Sequence, residues 1–234
     1  MLANRSDISA LKSRFAETGR VLVPGLLTDK AAEAVLGAII NQASWTLVTR
    51  VEGQHRAFDA AGMDQVPAPQ REAFDALVSA EARAGFQYLF ERYQLMDEYP
   101  KGRVPEGPLL ELAELLSGGD FVDLLQAVTG ASGSCFVDGQ VTRYRAGHFL
   151  TEHDDDEPTM HREAAYVMNF TRGWRADLGG LLQFLTPDGH VAEAFVPTFN
   201  SVALFKTPAP HAVSSVSNFA DQPRLAVTGW LRRS

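Results

Sequence analysis

The residues best equipped for chemistry lie in the stretch 142–156, TRYRAGHFLTEHDDD, which ends in a His-x-Asp pair, His153 and Asp155. Side chains two apart on a strand share a face, so this imidazole and carboxylate can grip one divalent cation. Taken alone the pair is weak. Asp154, Asp155, Asp156 and Glu157 beside a histidine read equally well as a solvated acidic loop. A metal site needs a further ligand on a distant strand. His211 qualifies, because it follows Thr207-Pro208-Ala209-Pro210 and opens a strand over 212–216. His161, nearer in sequence, competes for the same role from a loop.

Two imidazoles and one carboxylate with coordination positions left open form the facial triad associated with non-haem Fe(II) oxygenases. Arg224 adds a second chemical signal. It opens the last strand, RLAVTGWL, in an apolar setting, with no acid within that strand. A guanidinium entering a buried strand needs a partner, and its planar fork suits a carboxylate held bidentately. A bound organic acid is a natural candidate.

The elements that must position these residues fall into two textures. Residues 7–18 read as a helix stopped by Gly19, and 20–27 as a strand broken at Pro24-Gly25. Thr28 caps a helix that buries Val35, Leu36 and Ile39, with Asp29 in its first turn. Residues 45–51 read as a strand, and 52–70 as an irregular polar loop that can serve as a lid. Phe86, Leu89, Phe90 and Tyr93 fall at helical spacing, which predicts one long helix over 69–95 with that stripe buried. Leu109, Leu112 and Leu116 mark a helix ended by Gly118-Gly119. Asp120 caps another, burying Phe121, Leu124, Leu125 and Val128 and stopped by Gly130.

After Gly130 come short strands over 134–145, 164–170, 180–185, 191–196, 201–206, 212–216 and 225–231, separated by turn signals. That texture predicts a sandwich or double-sheet barrel. The fold class is α+β, mainly β, as one domain over 1–234. Residues 1–130 form a mostly helical support region, and 131–234 carry the site.

Together, His153-x-Asp155, His211 and Arg224 resemble the iron(II)/2-oxoglutarate-dependent dioxygenases, in their prolyl-4-hydroxylase-like branch. YRAGHFLTEHDDD resembles that branch's lead-in strand. AYVMNFTRGWRADLGGLLQF resembles its Asn, Trp and Gly-Gly-x-Leu segment. HAVSSVSNFADQPRLAVTGWL resembles its distal His, Arg and Gly-Trp ending. The resemblance covers about residues 137–231. It implies a double-stranded β-helix, or jelly roll, with helices packed outside. It further implies Fe(II) held by His153, Asp155 and His211, and Arg224 on the distal carboxylate of 2-oxoglutarate. Tyr144 and Thr228 match positions that hydrogen-bond this cosubstrate. Alignment on Asn169 puts Val167 at the family's cosubstrate-contacting tyrosine, which leaves the role of Tyr166 open. Gly179 and Gly180 let a strand begin close to a neighbour, and Trp230 packs. O2 is the second cosubstrate, with ascorbate in a supporting role. Asp155 argues for hydroxylation, because halogenating relatives lack this carboxylate.

Composition narrows the partners. A net charge of −8 and a pI near 5.2 exclude a basic nucleic-acid groove. No apolar run approaches the length that spans a bilayer. The first residues lack a signal peptide's apolar core, and a lone Cys135 suits a reducing cytoplasm. The resemblance to the prolyl-4-hydroxylase-like branch makes a prolyl residue of a protein or peptide the expected substrate. A free amino acid or other small molecule is the alternative within the same chemistry. A cupin-like metal-binding protein without 2-oxoglutarate, and a barrel that binds without turnover, are the rivals outside it. Oligomeric state is not legible in the sequence.

Overall fold

The computed structural model describes residues 1–234. It opens with α1 (Ile8–Thr18), β1 (Arg20–Pro24) and α2 (Asp29–Ile40), as the turn and cap signals predict. Gly19 ends α1 in the left-handed region, and the Thr28 side chain accepts from the Ala31 amide to cap α2. Ala32, Val35 and Ile39 are the buried face of α2, with Leu36 at its margin.

The chain departs from expectation between 52 and 95. Strand β2 (Thr46–Val51) turns directly into β3 (Gln54–Asp59), a regular antiparallel hairpin where a lid loop was expected. Two helices follow, α3 (Ala60–Asp64) and α4 (Ala68–Ala84). Gly85 stops α4, and β4 (Tyr88–Tyr93) is a strand. The spacing of Phe86, Leu89, Phe90 and Tyr93 therefore coincides with a helical stripe without being one. Tyr88, Phe90 and Arg92 face one side of β4, while Leu89 and Tyr93 pack with the helices.

After a short α5 (Leu95–Glu98), the apolar stripes of α6 (Pro108–Ser117) and α7 (Gly119–Thr129) complete the helical layer. Gly118, not Asp120, occupies the cap of α7, and its buried face is Phe121, Val122, Leu125 and Val128. No helix is long and apolar enough to cross a membrane.

The remaining strands are β5 (Cys135–Val137), β6 (Gln140–Tyr144), β7 (Phe149–His153), β8 (Arg162–Asn169), β9 (Leu182–Leu185), β10 (Val191–Phe195), β11 (Ser201–Lys206), β12 (His211–Val213) and β13 (Arg224–Arg233). Asp138-Gly139 divides the single expected strand 134–145 into β5 and β6. All pairings are antiparallel, in the order β1-β11-β8-β13-β6-β4-β7-β12-β9-β10, with β2–β3 attached to β4 and β5 to β13. The sheet curls into a nearly closed jelly-roll barrel with the helices outside. The first half therefore supplies more than helical support, since β4 stands in the barrel wall between β6 and β7.

Alternation along the wall strands sorts the two cores. Tyr166 and Met168 of β8, Val202 and Leu204 of β11, and Leu225 and Val227 of β13 turn outward into the core shared with the helices. Ala165, Val167, Ala203, Phe205 and Ala226 turn inward to meet Leu182 and Phe184 of β9. Because both faces are covered, these strands read as continuous apolar runs.

Candidate active site

Strands β7 and β12 place His153 directly opposite His211, with ring centroids 4.0 Å apart. Strand β7 ends at His153. Asp155 lies beyond it with φ +62°, so a left-handed turn, rather than alternation along one strand, returns its carboxylate to the histidines. Asp155 Oδ1 is 3.6 Å from His153 Nε2, and Oδ2 is 3.6 Å from His211 Nε2. One donor atom from each of the three residues lies within 4.8 Å of the others. Asp154 and Asp156 are exposed, with the Asp156 amide donating to Asp154 Oδ1 at 3.0 Å. His161 is exposed and outside the cluster.

The surroundings fix which atoms face inward. His153 Nδ1 lies 3.0 Å from the Thr151 carbonyl, and His211 Nδ1 lies 2.8 Å from the Ala209 carbonyl. Each Nδ1–H donates outward, which leaves each Nε2 lone pair free for a cation. Burial first, then the neighbouring His153, depresses the His211 pKa to about 4, so its imidazole is neutral at pH 7. Trp230 Nε1 donates to Asp155 Oδ2 at 2.8 Å, a role beyond the packing expected of it. Arg162 donates to the Asp155 carbonyl at 3.2 Å and lies over the Trp230 ring at 3.9 Å. Two imidazoles and one carboxylate converging beside an open cavity fit Fe(II).

The other end of the cavity is organised by Arg224, which is 1% exposed. It pairs in register with Tyr144, and its guanidinium carbon lies 5.2 Å from the Tyr144 ring. Phe90 stacks on Tyr144 at 5.1 Å. No acidic side chain reaches Arg224, its Nε has no hydrogen-bond partner, and burial lowers its pKa. Gly180 makes the space: a Cβ there would stand 3.1 Å from Arg224 Cδ, at φ +61°. A Cβ on Gly179 would collide with the Ser215 carbonyl at 2.0 Å, so close strand approach demands glycine at both positions. An uncompensated buried cation is costly, and a ligand carboxylate would complete it. That orphaned guanidinium fits the distal carboxylate of 2-oxoglutarate.

Both ends line one cavity of about 250 Å³, with Thr228 and Val167 between them. Thr228 pairs with Val167 across β13 and β8. Tyr166 turns away, donating to the Asp138 carbonyl at 2.7 Å and meeting Phe121 edge-on. His148 is buried outside the cavity, and burial depresses its pKa to about 3. Sequence reasoning missed the contribution of the first half. His55, Tyr88, Phe90 and Arg92 also line the cavity, and His55 sits on β3 rather than in a loop. Gly85 followed by Tyr-x-Phe-x-Arg was the available signal for a strand.

Residues 139–232 match the model of the 2OG-Fe(II) oxygenase superfamily. Prolyl 3-hydroxylase OGFOD1 of Mus musculus is 28% identical over 118 residues, covering 47% of this chain and 21% of that protein. The matched region thus spans about a fifth of that curated relative's length. A Pseudomonas putida prolyl-4-hydroxylase superposes with a TM-score of 0.58 at 18% identity, covering 98% of this chain and 100% of that one. A Trichoplax adhaerens prolyl hydroxylase, solved with a hypoxia inducible factor oxygen degradation domain peptide fragment, gives 0.61 at 13% identity, covering 96% and 88%. At these identities the structural likeness speaks for the fold.

Proposed function

We propose that this chain, whose residues 139–232 match the model of the 2OG-Fe(II) oxygenase superfamily, is an Fe(II)- and 2-oxoglutarate-dependent dioxygenase that hydroxylates an unactivated C–H bond. The observation that carries the reading is the pairing of two features in one cavity. One end holds a His153–Asp155–His211 donor set, and the other a buried Arg224 with an unpartnered Nε.

His153, Asp155 and His211 would hold Fe(II) through donor atoms that converge beside the cavity. Backbone carbonyls fix both imidazoles, and the Trp230 N–H fixes the carboxylate, so the donor set is preorganised. Arg224 anchors the distal carboxylate of 2-oxoglutarate, with the Tyr144 and Thr228 hydroxyls as further hydrogen-bonding groups. Val167, Leu182 and Phe205 keep the wall apolar and exclude water. When bound, iron and 2-oxoglutarate supply the oxidising chemistry: O2 is consumed, succinate and CO2 leave, and one oxygen atom enters the substrate.

For the substrate we propose a prolyl residue of a protein or peptide. The support is that the mouse relative and both solved structures are named prolyl hydroxylases. Incubation with Fe(II), ascorbate, 2-oxoglutarate and a host-cell extract tests the reading. Expected are succinate formation and an enzyme-dependent gain of one oxygen on prolyl peptides, both lost in Arg224→Ala. Full activity in Arg224→Ala would instead point to a cupin-like metalloprotein that does not use 2-oxoglutarate. Oxygen gain confined to free metabolites would remove the peptide assignment and keep the chemistry.

A further inference from the structure

Arg92 is a second guanidinium in the same cavity, and the residue roles given above leave it without a task. It lies on the inward face of β4, two residues beyond Phe90. Its Nε is buried without a partner, and no acidic side chain lies within ion-pairing distance. Its remaining contacts are long: Nη1 donates to Gln140 Oε1 at 3.4 Å, and Nη2 meets His55 Nε2 at 3.3 Å. His55 Nδ1 in turn lies 2.6 Å from the Tyr88 hydroxyl. Burial, then Arg92 itself, lowers the His55 pKa, which disfavours a second positive charge beside Arg92. A guanidinium has five donors in a fixed fork, and here most await an acceptor.

Strand register places Arg92 between the two ends of the site. Phe90 stacks on Tyr144, which stands opposite Arg224. Arg92 stands opposite Thr142, and Gln140 beyond it stands opposite Thr228. Two residues further along β13, Trp230 reaches Asp155. Arg92 is thus displaced from the anchor toward the metal end. Asp155 is the one acidic residue lining the cavity, and its oxygens face His153, His211 and Trp230. With Arg224 occupied by one carboxylate, a positive charge in the wall remains unbalanced.

We propose that Arg92 determines specificity by holding a carboxylate carried by the primary substrate, and this rests on the dioxygenase reading above. The carboxylate comes either from a free acid or from an acidic side chain beside the target residue. The shared chemistry is bidentate recognition by the Arg92 fork, with Gln140 and the His55–Tyr88 pair at its flank.

The test uses protein loaded anaerobically with Fe(II) and 2-oxoglutarate, titrated calorimetrically with matched probes. One pair is N-acetylproline against N-acetylprolinamide. The other is the doubly capped dipeptide acetyl-Pro-Asp-amide against acetyl-Pro-Asn-amide. The charged member of at least one pair is expected to bind roughly tenfold tighter or more, the scale of a charge-assisted hydrogen bond. Which pair discriminates identifies the source of the carboxylate. Arg92→Gln should bring that preference to within about twofold, Arg92→Lys should keep part of it, and the iron–2-oxoglutarate charge-transfer band should persist in both. Far-UV circular dichroism reports separately that each variant is folded. Three outcomes overturn the proposal alone: no preference in the wild type, a preference surviving Arg92→Gln, or loss of the band in Arg92→Gln, which would make Arg92 a cosubstrate residue. A wild type with no band overturns the dioxygenase reading and this inference with it.

Discussion

At the His153 end of the cavity, the outward polar atoms of the donor set have protein partners and only the inward-facing donors stay open. At the Arg224 end, a fully buried guanidinium has an Nε with no partner at all. The first end is shaped in advance for a cation and costs the empty protein little. The second is a charge held out of water, stabilised only when an anion arrives. One end is thus ready before its ligand, and the other is completed by it.

The sharpest way to break this contrast is His211→Ala. The visible band formed anaerobically with Fe(II) and 2-oxoglutarate is expected to vanish at every concentration tested, and a persisting band would remove His211 from the donor set. Next in size is Arg224→Met, for which two measurements should move in opposite directions. Affinity for 2-oxoglutarate should fall by about 2–5 kcal/mol, the cost of truncating one partner of a buried charge pair. The ligand-free variant should be equally or more heat-stable, because a buried unpaired cation is gone. A variant that melts well below the wild type would show that Arg224 is already satisfied within the protein. Trp230→Phe keeps the ring and removes the N–H to Asp155; metal affinity, read by competition with a chelator, should drop roughly 10- to 100-fold.

The smallest effect concerns pH. His211 stays neutral in the folded, metal-free protein down to about pH 4, whereas in the unfolded chain it takes up a proton near its ordinary value of 6.5. The unfolded state therefore binds more protons as pH falls, and stability should be full above about 6.5 and decline toward 4. His148, held to about 3 by burial, acts in the same direction. Melting of metal-free protein at pH 7 and pH 5 should show a drop that His211→Gln reduces, whereas Arg224→Met leaves the slope unchanged. Equal slopes in all three proteins would contradict the burial of His211 as the cause.

The second half of the chain was largely legible because its strands are short, apolar on both faces and punctuated by turns. Arg224 was legible for a physical reason as well: a cation opening an apolar strand advertises a missing partner. Strand β4 was not legible, because four apolar residues fell by coincidence at helical spacing and Gly85 was passed over as a stop. Strand β3 is exposed along most of its length, so no apolar alternation marks it. Asp155 joins the His153–His211 cluster, but not by alternation along one strand, since its backbone turn lies beyond the strand that carries His153. The two misread strands share one consequence: the cavity wall bearing His55, Tyr88, Phe90 and Arg92 stayed hidden.

The pairing of β1 with β11 bears on how the molecule comes into being. Arg20 finds its partner only at Phe205. At ribosomal speeds of about 5–20 residues per second, that strand waits roughly ten to forty seconds for its neighbour to be made. Val21 and Val23, almost wholly enclosed in the finished fold, are meanwhile exposed on a segment with two open edges. Pairing of this edge strand is therefore a late event of synthesis.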